Sequence, residues 1–189
     1  ISLNNIDFHG AFLTGSSASS LFVNHSSFSV GRNLWLQARN DLLMQNVQTY
    51  SEQETKFVAG GEIYDLPYIE KNESHDFYKI GRRKTNIHRR ELMTHGNKHI
   101  SEGDIVFAAG KGLTLVASNL ESQKNIKLST ESILRLIEGR NYKLVETFTT
   151  KRNFFGTKKT SHREEAVLPV PVSLKAANKI LTKSHELVS

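Results

Sequence analysis

The chain of 189 residues contains no cysteine, and that absence excludes more chemistry than any other feature of its composition. Disulfide scaffolds, thiolate zinc sites, iron–sulfur clusters and cysteine nucleophiles are all ruled out. The redox compartment stays open, because a cysteine-free chain suits the cytosol and also crosses an oxidising space without being trapped. Three prolines exclude a proline-rich stalk. No apolar run approaches the roughly 18 residues that a membrane helix needs. The chain starts at Ile1, with no basic-then-apolar leader, which reads as an internal piece of something larger. Lys and Arg number 25 against 19 Asp and Glu, a net charge of +6. Hydrophobic residues make up 38%, low for an enzyme core but well above a disordered composition.

What recurs is a polar or small residue followed by apolar–x–apolar. Asn5-Ile6-Asp7-Phe8, Ser27-Phe28-Ser29-Val30, Asn33-Leu34-Trp35-Leu36 and Asp41-Leu42-Leu43-Met44 carry it. So do Asp104-Ile105-Val106-Phe107, Gly112-Leu113-Thr114-Leu115, Asn125-Ile126-Lys127-Leu128, Ser132 to Leu136 and Asn141-Tyr142-Lys143-Leu144. Alternation with period two is a strand signature. Turn residues separate the strands at Gly31-Arg32-Asn33, Arg39-Asn40-Asp41, Gly110-Lys111-Gly112 and Gly139-Arg140-Asn141. Two strands with their turns use on the order of 20 residues, a repeat-protein period. An antiparallel sandwich gives similar spacing. The strand-opening Asn, Asp and Gly favour stacked layers instead, since these residues tolerate left-handed geometry at corners. The expected fold is therefore all-β, a right-handed parallel β-helix with two projecting basic insertions. Its expected divisions are helix rungs over 1–48, a hairpin and basic insertion over 49–103, rungs over 104–145, a basic threonine-rich hairpin over 146–169 and resumed rungs over 170–189.

Two stretches interrupt the pattern. Thr55 to Ala59, Gly60-Gly61 and Glu62 to Leu66 read as a β-hairpin with a glycine turn. Residues 82–99 then hold six Lys and Arg and one acid. The second interruption places Asn153-Phe154-Phe155-Gly156-Thr157 between basic flanks, and residues 151–163 carry five Lys and Arg and no acid.

Candidate chemistry is sparse. His95 and His99 have the spacing of a metal pair on a helix, but Gly96-Asn97-Lys98 disfavours helix and no third ligand is evident, so they read as loop histidines. Asp7 is the clearest strand acid, Asp41 and Asp104 sit at corners, and Glu164-Glu165 balance a basic segment. Glycan cleavage would need a pair of carboxyl groups about 5 to 9 Å apart. No nucleophile elbow, phosphate loop or dinucleotide fingerprint occurs. Leu34 and Leu36 read as core, and Trp35 as a packing residue. No catalytic residue, metal or cofactor is assigned. The functional candidates are two clusters: Arg82, Arg83, Lys84, Arg89 and Arg90, and Lys151, Arg152, Lys158, Lys159 and Arg163. Cations beside aromatics suit sulfated glycans, anionic lipid headgroups or nucleic acid. The plainer reading is solubility and protection of sheet edges.

Gly103-Asp104-Ile105-Val106-Phe107-Ala108-Ala109-Gly110-Lys111-Gly112-Leu113-Thr114-Leu115-Val116-Ala117-Ser118 resembles the haemagglutinin repeat of filamentous-haemagglutinin-type exoproteins. These are the secreted partners of two-partner secretion, and they include the contact-dependent inhibition effectors. Phe154 to Thr160 with Glu164 to Pro169 resembles the basic interruption of that repeat region, and Arg89 to His95 with Ile100-Ser101 the approach to it. The resemblance covers about 86–189 most strongly. It implies a parallel β-helix fibre at the bacterial surface, acting without enzymatic chemistry in adhesion or as a toxin-delivery stalk, and hence in virulence. The implied partners are a receptor or glycan on a host or neighbouring cell, an outer-membrane transporter during secretion, and a continuing chain at both ends. Two other readings stand beside it: a polyanion-binding module working through the basic segments, and a β-helix glycan lyase or hydrolase.

Overall fold

In the computed structural model, which describes residues 1–10, 13–17 and 19–189, the chain is all-β, with no helix among the described residues. It divides into two compact units. The first comprises 1–68, 95–139 and 171–189, and the second 69–94 and 140–170.

The first unit follows directly from the alternation. Leu34 and Leu36 are buried while Trp35 is exposed between them, so one parity of each strand faces inward. The inward residues pair only with equivalents from other layers, and always in parallel. Leu21 pairs with Leu42 and Leu42 with Ile63, a return every 21 residues. Ile63 pairs with Leu113, Leu113 with Leu134 and Leu134 with Leu187. A second ladder runs Leu36, Phe57, Phe107, Leu128, all essentially inaccessible to solvent. Phe57 and Phe107 pack with ring centroids 4.7 Å apart. The ladders belong to an 11-stranded and a six-stranded sheet, and their buried side chains form one cluster. Each fully buried Leu, Ile or Phe contributes about 1.5–3 kcal/mol relative to exposure.

Corner residues stabilise the layers in a way the sequence pattern left out. Left-handed geometry falls on the strand-opening Asn5 and on His25, Asn46 and Ala117, but not on Asn33, Asp41, Asp104 or Asn125. The corner side chains act as acceptors for the layer 21 residues on: Asn33 Oδ1 for the Glu54 amide (3.0 Å), Asp41 Oδ1 for that of Glu62 (2.9 Å) and Asp104 Oδ1 for that of Asn125 (3.1 Å). Burial disfavours an ionised Asp104. The Lys127 ammonium at 2.5 Å and the Asn125 donors outweigh it and hold the carboxyl below its ordinary range.

Two expected elements differ. Thr55–Ala59 and Ile63–Leu66 do not form a hairpin with each other. The first pairs in parallel with Leu34–Ala38 and Ile105–Ala109, the second with Leu42–Ser51 and Leu113–Val116. A two-residue turn at Gly60-Gly61 would set buried Phe57 opposite Tyr64, whose neighbours Ile63 and Asp65 are the buried ones, so the parities conflict. Gly60 answers a close approach instead: a Cβ there would lie 2.2 Å from the Arg39 carbonyl oxygen. The layered strands therefore continue to Leu66 and resume at Lys98, inside the segment expected to be an insertion. Asn141 to Leu144, expected to continue the rungs, lies in Gly139–Asn153, whose partner Arg83–His95 is antiparallel. Alternation reports which way side chains point; it carries no information on the partner strand's direction.

The second unit is built on a four-stranded sheet, in the order Gly156–Val170, Gly139–Asn153, Arg83–His95, Tyr68–Ile80. Leu66 and Ile137 each end a half-strand at the point where other layers bend, after Gln45 at Asn46 and after Val116 at Ala117.

Candidate functional site

Charge divides unevenly between the units. Segments 69–94 and 140–170 hold fourteen Lys and Arg against seven Asp and Glu, a net of +7, so the remainder of the chain is −1. Within them, 77–90 and 147–163 carry eleven Lys and Arg and no carboxylate.

The register of the sheet brings the two clusters together. Arg83 pairs with Lys151 and Lys84 with Thr150, and the Arg152 amide donates to the Arg82 carbonyl at 3.1 Å. Arg82, Arg83, Lys84, Lys151 and Arg152, separated by some seventy residues of sequence, therefore share one end of the sheet. Lys158 and Lys159 follow the turn at Phe154 and Phe155 that joins Gly139–Asn153 to Gly156–Val170, so they flank the same end. All seven are exposed and none forms an ion pair among the described residues. Like charges directly opposite on a sheet are destabilising, so the Arg83–Lys151 pair is a local cost that an anion would remove. Phe154 and Phe155 are 92% and 96% exposed, packed edge to face with centroids 5.6 Å apart. Ile80, beside the turn of the other hairpin, is 79% exposed.

Three predicted residues lie elsewhere on the sheet. Arg89 pairs with Asp76, and Arg163 with Glu165 at 2.9 Å and Glu146 at 4.0 Å. Arg90 pairs in register with Leu144, seven positions from Arg83. These three residues do not belong to the cationic end.

The histidines resolve differently from their spacing. His99 is fully buried, with Nδ1 2.9 Å from Thr49 Oγ1 and Nε2 3.2 Å from Asp65 Oδ1. His95 ends a strand of the four-stranded sheet. The histidines that come together are His75 and His88, with rings stacked 4.2 Å apart at 5°. Glu73 Oε1 lies 2.9 Å from His88 Nε2 and 3.7 Å from His75 Nε2. The His88 imidazole and the Lys71 ammonium hold the Glu73 carboxyl down to about 2. His75 and His88 are thirteen positions apart, a spacing that carries no motif; the signal was Glu73-x-His75, two ligands on one face of a strand.

Asp7 faces His9 at 3.2 Å, both exposed. Trp35, read as a packing residue, points outward, 39% exposed, and its Nε1 donates to Glu54 Oε2 at 3.1 Å. Comparison of the chain with models of protein families, with curated proteins and with solved structures finds no match.

Proposed function

We propose that this chain is a segment of a secreted bacterial surface exoprotein of the haemagglutinin-repeat kind. In this reading it is a right-handed parallel β-helix with its two basic insertions joined in the four-stranded sheet. The role is non-enzymatic: a fibre or delivery stalk whose cationic sheet end engages an anionic glycan on a neighbouring or host cell. An outer-membrane transporter would export it, and further rungs would extend it at both ends. The return to the same register every 21 residues supports the stacked fibre. Freedom from cysteine supports export as an unfolded chain that then folds layer by layer.

The observation that carries the binding role is the cationic end: seven exposed Lys and Arg, without an ion pair among the described residues, around two nearly fully exposed phenylalanines. A surface built for solubility alone intersperses charges of both signs. Heparin chromatography tests the role. Retention to well above the physiological ionic strength of about 0.15 M is expected, with steep salt dependence. Replacing Arg83, Lys84, Lys151 and Arg152 with Gln should bring elution to or below that salt. Replacing Lys124, Lys175, Lys179 and Lys183, on the first unit, should leave it unchanged. Elution of the wild type at or below physiological salt, or equal loss in both variants, would overturn the role.

A further inference from the structure

We propose that Glu73, His75 and His88 form a binding site for a divalent late transition-metal ion, of which zinc is the type. It is independent of the polyanion reading and uses none of its residues. Glu73 and His75 are two positions apart on Tyr68–Ile80, so they share a face. His88 lies on Arg83–His95, the hydrogen-bonded neighbour. One ligand atom from each of the three falls within 4.8 Å of the others. Ligands at about 2.05 Å from a tetrahedral zinc stand about 3.3 Å apart. The separations of 2.9 and 3.7 Å between Glu73 Oε1 and the two imidazole Nε2 atoms bracket that value. Small tilts of two stacked rings, one of them 71% exposed, would converge both nitrogens.

The surroundings complete the pattern of an oriented ligand set. Glu146 stands opposite His88 in the strand register, its Oε2 3.4 Å from His88 Nδ1. A carboxylate there keeps the proton on Nδ1 and turns the Nε2 lone pair toward the metal. Lys71 at 3.2 Å engages Glu73 Oε2 and leaves Oε1 for the ion. Two imidazoles and one carboxylate select zinc, copper or nickel over magnesium and calcium, which prefer all-oxygen sets. The fourth position faces solvent.

The ion has a structural task here. In 69–94 and 140–170, Leu144 is the one residue buried below a tenth exposure among the described residues. A sheet with so little core, in a chain without disulfides, gains from a tie between strands. A metal that binds the folded sheet and not the unfolded chain stabilises it by mass action.

Calorimetric titration of the untagged full chain with ZnCl2, with MgCl2 as control, tests the site. One saturable zinc site with a dissociation constant in the micromolar range or tighter is expected, with no magnesium heat. His75→Gln and His88→Gln should each weaken it at least tenfold. Both residues are on the surface sheet, and circular dichroism would confirm that the variants fold. With Cu2+ as probe, electron paramagnetic resonance should report two nitrogen ligands in the wild type and one in His75→Gln. Absence of saturable zinc binding up to about 100 μM would overturn the proposal. So would wild-type affinity in both variants, which would place the ion on other histidines of the eight.

Discussion

Asp65 and His99 make the sharpest energetic test of the stacked layers. Asp65 occupies a ladder position held elsewhere by Leu3, Val23, Met44, Leu115 and Leu136. His99 occupies one held by Phe8, Phe28, Thr49, Leu120 and Leu174. Both are fully buried and bonded to each other at 3.2 Å. Asn97 Nδ2 also donates to Asp65, whose Oδ2 has no hydrogen-bond partner among the described residues. Replacing either residue alone strands a buried polar group, which costs about 3 kcal/mol. Asp65→Leu leaves His99 Nε2 unpaired; His99→Leu leaves Asp65 with Asn97 alone. The double substitution restores the apolar residue that the other layers carry at the Asp65 position and that all but the Thr49 layer carry at the His99 position. Its remaining cost is the Thr49 hydroxyl and the Asn97 Nδ2 hydrogen that Asp65 accepted, about 2 kcal/mol together. Urea unfolding followed by circular dichroism and Trp35 fluorescence should give a double variant more stable than either single one. Thermal melts should place each single variant roughly 10 °C below the wild type. Neutral single variants, or a double variant whose loss equals the sum, would refute the argument.

Two smaller predictions use the corners. A Cβ on Gly110 would lie 2.3 Å from the Gly60 carbonyl oxygen, while on Gly112 its nearest contact is an ordinary 3.7 Å. Gly110→Ala should therefore cost about 2 kcal/mol in urea unfolding and Gly112→Ala much less. Asp104 is held below the ordinary carboxyl range in the folded chain, so its contribution is fully present above an unfolded-state value of about 3.9. It is lost as pH falls through the lower folded value. Unfolding midpoints measured from about pH 6 down to pH 2 should fall more steeply below pH 4 in the wild type than in Asp104→Asn.

The all-β class and the inward parity of residues such as Leu34 and Leu36 were legible because alternation is local. Partner strands were not. Gly60-Gly61 had the composition of a hairpin turn, yet the glycine makes room for the Arg39 carbonyl of another layer. Asn141 to Leu144 carried the same polar–apolar–x–apolar signature as the layers but lies in the antiparallel sheet. The ten basic residues were visible as two clusters. That Arg83 meets Lys151 while Arg89 and Arg163 are neutralised elsewhere is a matter of register. His75 and His88 meet only across two strands, where no spacing rule reaches.

Cross-linking tests the parallel stacking on which these readings rest. The chain has no cysteine, so an introduced pair reports without background. Val58 and Ala108 are partners fifty residues apart in adjacent parallel strands, within the Cα separation that a disulfide spans. Val58→Cys with Ala108→Cys should oxidise quantitatively to an intramolecular disulfide, and Val58→Cys with Ile63→Cys, the pair that a Gly60-Gly61 hairpin would set opposite each other, should stay reduced. The opposite outcome would mean that 55–66 folds back on itself, and the layered arrangement would be wrong.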